Sequence, residues 1–446
     1  MSDEQTLHTR RQFLRTTLLG GAVSGTIPAF LAQTISALHA EAAQKVTQIT
    51  TGRDGTILVV LQMAGGNDGL NTVVPYASDD YRRARPRLGL AAGKVLKLND
   101  QLGLHPNLTG FQQLYEAGQL AIVQGVGYPN PNRSHFRSTE IWQTASSADR
   151  YERYGWLGRY FDNACPGADP AVGVSIGRQS PAAFAGKAAK GICLENPQKY
   201  RFLARGRPGE AVPTEAAYRK LNDAQEAMTD AGPGANSGGT ISALSGSVMP
   251  SGSAVDFLER VALEAQVSSD TIRAISDRVE NRADYPGSEL ANSLKLVARL
   301  IGGGLPARVF YVSQGGYDTH TNQLATQDRL LRDLGDSVRA FVQDLTAQGN
   351  LERVLVMTFS EFGRRVAENA SGGTDHGAAA PIFVIGHKIK SGLLGRYPSL
   401  APADLFQGDL KFHVDFRSVY ATVLENWLQT PSEPILGQRF PTLGLV

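Results

Sequence analysis

The sequence predicts an α/β domain built on a doubly wound sheet, and three features predict it. Long apolar runs, such as residues 57–62 and 120–127, suit strands covered on both faces. Stretches with apolar residues at helical spacing alternate with those runs, as in successive βα units. Polar turns bearing acids and histidines adjoin the runs, and open α/β sheets bind ligands at the carboxyl ends of their strands.

Taken in order, residues 46–53 read as an extended lead-in and 57–62 as the first strand. Residues 111–117 read as a helix stopped by Gly118, and 120–127 as the strand that follows it. Residues 138–145 and 151–165 read as helices, the second from the spacing of Trp156, Leu157, Tyr160 and Phe161. Residues 172–176 are a further strand. The Gly-, Ser- and Pro-rich stretch 231–253 reads as a flexible insertion. Helical periodicity returns at 254–275 and 290–301. The runs 308–313 and 353–359 flank a long helix at 324–345, whose broad face holds Leu330, Leu331, Leu334, Val338, Phe341, Val342 and Leu345. Residues 381–386 are the last strong strand.

The N-terminus is set apart. Thr9-Arg10-Arg11-Gln12-Phe13-Leu14 is a twin-arginine pattern, a moderately apolar stretch runs from 16 to 38, and Ala40-Glu41-Ala42 suits cleavage. Residues 1–42 are therefore expected to be an export signal that engages export machinery, leaving 43–446 as one domain with a flexible insertion near 229–253. The alternatives are an uncleaved anchor and a chance arginine pair before an amphipathic helix. The location expected is periplasmic or secreted, with no stable membrane span once the signal is gone, since no other stretch reaches the ~18 apolar residues a span needs. A formal net charge of +2, without a basic and aromatic stripe, argues against a nucleic-acid partner. The two cysteines, Cys165 and Cys193, fit either a disulfide or two buried thiols.

The chemistry-bearing groups sit in five turns. Asp68, in Gly65-Gly66-Asn67-Asp68-Gly69, reads as a metal-ligating carboxylate or as the acid of an Asn-Asp-Gly turn. Asp318 and His320 lie two apart, so an extended segment turns both toward one ion. Asp375 and His376, in Gly373-Thr374-Asp375-His376-Gly377, read as a ligand pair on an irregular loop. Glu361 is a ligand, a general base or a helix-start carboxylate, and Arg364 and Arg365 beside it are candidates to bind an anion. Ser134 is either an N-cap or a nucleophile at a helix start, and His135 a ligand or a proton shuttle. His413 is a candidate late ligand. Mixed carboxylate and imidazole ligands favour zinc or manganese as the divalent metal.

Several of these stretches together resemble the exported DUF1501 family. They are 61–72, from Leu61-Gln62-Met63 to Leu70-Asn71-Thr72; Gly127-Tyr128 through Ser134-His135-Phe136; Gly315-Gly316-Tyr317-Asp318-Thr319-His320; Thr358-Phe359-Ser360-Glu361-Phe362-Gly363-Arg364; Gly373 to Gly377; and Asp415-Phe416-Arg417-Ser418-Val419-Tyr420. That family in turn is similar to the alkaline phosphatase and sulfatase superfamily. The resemblance implies an alkaline-phosphatase-like core, a mostly parallel sheet with helices on both faces, and a site for one or two metals. Carried over by position, it implies Asp68, Asp318, His320, Asp375 and His376 as metal ligands and Ser134 as nucleophile. The implied activity is hydrolysis of phosphate or sulfate esters, with an anionic small-molecule or glycan ester as substrate and Arg364 or Arg365 on its free oxygens. A second reading is a non-catalytic periplasmic metal- or glycan-binding protein on the same scaffold.

Overall fold

The computed structural model describes residues 55–166, 168–187, 191–199 and 270–446. The expected signal, the lead-in at 46–53 and the insertion near 229–253 lie outside the described residues. Within them the strands are β1 (Ile57–Met63), β2 (Val73–Val74), β3 (Leu96–Lys97), β4 (Gly103–Leu104), β5 (Leu120–Gly127), β6 (Gly173–Ile176), β7 (Ile192–Leu194), β8 (Val309–Gln314), β9 (Val354–Phe359), β10 (Ala380–Ile385), β11 (Gly392–Leu394) and β12 (Val414–Asp415). The helices include α1 (Gly69–Thr72), α2 (Asp79–Ala84), α3 (Thr109–Glu116), α4 (His135–Thr144), α5 (Trp156–Ala164), α6 (Glu289–Gly302), α7 (Gln323–Gln348), α8 (Phe416–Thr422) and α9 (Glu433–Leu436), and residues 270–278 are helical as well.

The main sheet runs β11-β5-β10-β9-β1-β8-β6-β7, and β12 also pairs with β5. β1 lies between β8 and β9 and is parallel to both. The β6, β7, β11 and β12 pairings are parallel as well. β10 alone is antiparallel to its neighbours, β5 and β9. The expected mostly parallel α/β sheet is therefore present, with one reversed strand. Because of that reversal, the loop before β10 lies at the same sheet edge as the loops after β1, β5, β8 and β9.

The central strands are mostly apolar and buried because both faces of the main sheet are covered. Along β1, Ile57, Val59, Leu61 and Met63 join one buried cluster, and Leu58 and Val60 join the other. The first cluster takes Phe111 of α3, Leu294 and Val297 of α6, and Leu331, Leu334, Val338 and Phe341 of α7. The second takes Ile141 and Trp142 of α4, Trp156 and Phe161 of α5, and Phe416 and Tyr420 of α8. Trp142 stacks on Phe416, and Trp156 on Tyr420, each with ring centroids 4.3 Å apart. Helix α7 stops at Gly349, whose φ of 75° is the left-handed conformation that closes a helix.

Element boundaries moved by a few residues from those expected. α5 begins at Trp156 rather than near 151, and α4 begins at His135 rather than near 138. That shift brings a histidine onto the first turn of the helix. No helix of the described residues is long and apolar enough to cross a membrane. Cys165 and Cys193 are not joined to each other. At the centre of the sheet, Leu61→Ala removes a fully buried side chain. The substitution should cost roughly 2–5 kcal/mol in urea unfolding, with the slope of the transition unchanged.

Candidate metal centre

Loops from five strands meet at one edge of the sheet. Backbone bonds hold them together. Tyr317 N donates to Ala64 O (3.2 Å), Thr374 N to Thr319 O (3.2 Å), and Arg365 N to Asp375 O (2.9 Å). Arg364 and His376 form an antiparallel bridge across the loop between β9 and β10. Such close approach needs residues without side chains. A Cβ on Gly65 (φ +119°) would lie 2.4 Å from Asp318 N, and one on Gly373 would lie 2.3 Å from the His320 carbonyl.

At the meeting point, one oxygen of Asp318 faces three imidazoles. Its Oδ1 lies 3.1 Å from His376 Nε2, 3.1 Å from His320 Nε2 and 3.4 Å from His135 Nε2. His320 Nε2 and His376 Nε2 are 2.9 Å apart. His135, Asp318 and His376 form, among the described residues, a group that could hold a metal ion. The acceptors on the far side of each ring decide the protons. His376 Nδ1 lies 2.8 Å from the Arg133 carbonyl, His135 Nδ1 2.9 Å from Glu361 Oε1, and His320 Nδ1 3.2 Å from Asp375 Oδ1. A carbonyl or carboxylate oxygen can only accept, so each Nδ1 carries the hydrogen. A neutral ring in that tautomer turns an Nε2 lone pair inward. His135 Nε2 is buried and has no hydrogen-bond partner. Three lone pairs and a carboxylate oxygen repel one another unless a cation or protons lie between them, and outer acceptors that fix the tautomer are typical of metal-ligating histidines. The residues therefore fit a divalent ion.

Arg364 organises the surrounding backbone. Its side chain is fully buried, with Nε donating to Gly66 O (2.6 Å), Nη1 to Thr374 O (2.9 Å), and Nη2 to Gly65 O, Tyr317 O (2.8 Å) and Asp318 Oδ1 (2.9 Å). Burial by itself would raise the Asp318 pKa. The Arg364 guanidinium, by its hydrogen bond and its charge, with His376 and His135 beside the carboxylate, outweighs it and brings the carboxyl down to about 2. Asp375 is lowered too, first by its bond from Asn369 and, against some burial, by His320.

Several expected roles change. Arg364 was expected on substrate oxygens, but its donors are already committed to the loops. Glu361 is 3% exposed, its Oε1 accepts from Gly65 N (2.8 Å) as well as facing His135, and no helix starts there. It orients His135 and is not placed as a free base. Asp375 was expected as a ligand but sits behind His320, on the outer nitrogen. Asp68 does not join the cluster. Its oxygens are taken by Arg85, Gln323 Nε2 and Leu70 N (3.2 Å). His413 lies beside Arg396, 3.4 Å from its guanidinium. Ser134 stands at the N-cap position of α4, exposed, and its side chain makes no capping bond. His135, expected as ligand or shuttle, is brought to the cluster. Arg85, Gln323 and the Arg133 carbonyl were missed. Arg85 lies in Arg82-Arg83-Ala84-Arg85-Pro86-Arg87, which reads as an ordinary basic surface, and a backbone carbonyl leaves no mark in a sequence.

Over residues 56–436 the sequence matches the family model described as "Protein of unknown function (DUF1501)". The chain belongs to the DUF1501 family. No curated protein matches this DUF1501 chain. Among solved structures, it is similar to a protein in the alkaline phosphatase superfamily from Vibrio parahaemolyticus, at 8% identity over 93% of this chain and 78% of that one, with a TM-score of 0.36. It is similar to a sulfatase from Pseudoalteromonas sp. at 12% identity, over 94% and 75% of the two chains, with a TM-score of 0.35. It is also similar to alkaline phosphatase from the Antarctic bacterium TAB5, at 10% identity over 75% and 92%, with a TM-score of 0.32.

The loop packing of this DUF1501 chain makes a direct test. Gly65→Ala, strained in backbone and crowded against Asp318, should lower stability by about 1–3 kcal/mol or more. Gly93→Ala, where nothing lies within 4 Å of an added Cβ, should leave thermal unfolding unchanged.

Proposed function

We propose that this protein is an exported, metal-dependent hydrolase of phosphate or sulfate esters. The observation that carries the reading is the convergence of three imidazole Nε2 atoms on the Asp318 carboxylate at an open sheet edge. His135, Asp318, His320 and His376 would hold the ion. Three imidazoles with one carboxylate favour zinc or manganese over calcium or magnesium. The side chains of Asp318 and His320 remain 48% and 42% exposed, so the group is open on one side. Structural metal sites are closed, and catalytic ones keep a side for substrate. A bound divalent cation supplies Lewis-acid stabilisation of charge on oxygen and lowers the pKa of a nearby hydroxyl or water.

The chain's own groups have separable tasks in this reading. Ser134, exposed and free of a capping bond, precedes His135 at the start of α4, where unpaired amides favour an anionic oxygen. Its Oγ attacks phosphorus or sulfur, the alcohol leaves with its oxygen, and water then releases the acid from the serine. Glu361 holds the His135 ring. Of the two arginines expected on the substrate's oxygens, Arg365 keeps that task. Its side chain is 38% exposed, and its Nε lies 3.9 Å from the buried Asp409, so the guanidinium has donors to offer a substrate's anionic oxygens. The substrate class is an anionic small-molecule or glycan ester. The twin-arginine pattern at Arg10-Arg11 supports export to the periplasm or beyond, with 43–446 as a single mature domain.

Purified protein should be measured for bound metal and for hydrolysis of an aryl phosphate and an aryl sulfate. The wild type is expected to carry a divalent ion and to turn over one of the two esters. His376→Ala should lose the ion. Ser134→Ala should keep it and lose at least about a thousand-fold in kcat. A wild type without metal overturns the reading, and full turnover by Ser134→Ala removes Ser134 as nucleophile. Stoichiometric metal with no turnover on either ester would favour the metal- or glycan-binding protein instead.

A further inference from the structure

A second carboxylate lies behind the centre. Asp68 follows β1 at the sheet edge, where a ligand was expected, yet its side chain is 1% exposed and surrounded by donors. Arg85, itself fully buried, donates Nη1 to Asp68 Oδ2 and to Asn71 Oδ1 (2.9 Å). The same guanidinium donates Nε to Val366 O and Nη2 to Arg365 O, each at 2.9 Å. Gln323, at the start of α7 and fully buried, donates Nε2 to Asp68 Oδ2. Leu70 N completes the set on Oδ1. The negative charge of Asp68 is thus already matched by a guanidinium. A second cation would have to displace a buried arginine whose three nitrogens are all engaged.

Gln323 continues outward from Asp68. Its Oε1 accepts from Thr374 Oγ1 (2.6 Å) and from Thr319 Oγ1 (3.2 Å). Thr319 immediately precedes His320. Thr374 precedes Asp375 and His376. The chain Arg85–Asp68–Gln323 therefore ends on the two loops that carry His320 and His376. Arg85 also grips the carbonyls of 365 and 366, beside the strand segment bridged to His376.

We infer that Asp68 is a positioning residue rather than a metal ligand, and that the centre takes one divalent ion per chain, with Arg85 as the permanent counter-charge of Asp68. The inference rests on the metal reading proposed above. In it, Asp68 fixes the amide of Gln323, the amide fixes two threonine hydroxyls, and those hydroxyls fix the backbone from which His320 and His376 project. Asp68 then governs the affinity of the ion without touching it.

The experiment counts ions on full-length mature protein loaded with zinc and, separately, with cobalt, whose visible spectrum reports the ligand set. The expected results are one ion per chain in the wild type, and one ion per chain in Asp68→Asn with the same cobalt spectrum. Affinity in that variant should be weaker by about 10-fold, the lower end of the range for groups bonded directly to metal ligands, because Asp68 acts through Gln323 and the two threonines. Thr374→Val cuts the same chain of contacts without touching Asp68, and should weaken the ion in the same direction. If Asp68→Asn alone does not yield folded protein, Asp68→Asn/Arg85→Met removes both charges together and is read in the same way. Two ions in the wild type, an ion lost from Asp68→Asn, or a changed cobalt spectrum in it overturns this inference while leaving the metal reading intact. Wild-type affinity in Thr374→Val overturns the positioning role. No ion in the wild type overturns the metal reading and this inference together.

Discussion

The geometry of this protein depends on one shared oxygen. Asp318 Oδ1 lies between three imidazole nitrogens and the Arg364 guanidinium, and the loops after β1, β8 and β9 and before β10 are joined to one another by backbone bonds around it. The arginine solves two problems at once. It keeps the carboxylate ionised, and it donates to the backbone carbonyls of 65, 66, 317 and 374. A lysine could not do this, since its donors are not spread in a rigid planar fork. The imidazoles are in turn oriented from behind by a carbonyl and two carboxylates. Polar groups therefore surround the centre in layers, each fixing the one inside it.

The sheet makes such a centre possible. Parallel strands β1, β5, β8 and β9 all deliver their carboxyl ends to one edge. The reversed β10 delivers its start there instead, and so brings Asp375 and His376 to a place that a parallel strand would have put at the far end. The 26-residue helix α7 contributes through its first turn, where Gln323 reaches under the loops. Apolar burial on both faces of the sheet supplies the stability against which the buried polar groups are held. Those groups are costly to desolvate, and their partners must be complete for the arrangement to persist.

Much of the fold was legible because it follows from periodicity. The strand at Leu120–Gly127 falls where the apolar run lies, and the long helix α7 encloses the stripe from Leu330 to Leu345. The reversal of β10 was not legible, since an apolar run has no direction. Within the centre, Asp318, His320 and His376 stood out because acids and imidazoles adjoined strands. His135 could be read as ligand or shuttle, and its ring orientation came from Glu361, more than two hundred residues away in the chain.

The sequence by itself determined the α/β architecture, the sheet edge where the chemistry collects and the residue types available there. Hydrophobic spacing and glycine-rich turns are local properties, and they survive being read one residue at a time. Only the tertiary structure decided which carboxylate faces the imidazoles and which is paired elsewhere. Asp68 and Asp318 look alike beside their glycines. They differ because Arg85 arrives at one, while the other faces His135, His320 and His376 with Arg364 at its back. Charge pairing acts through space over a few ångströms, and nothing in the order of the residues specifies it.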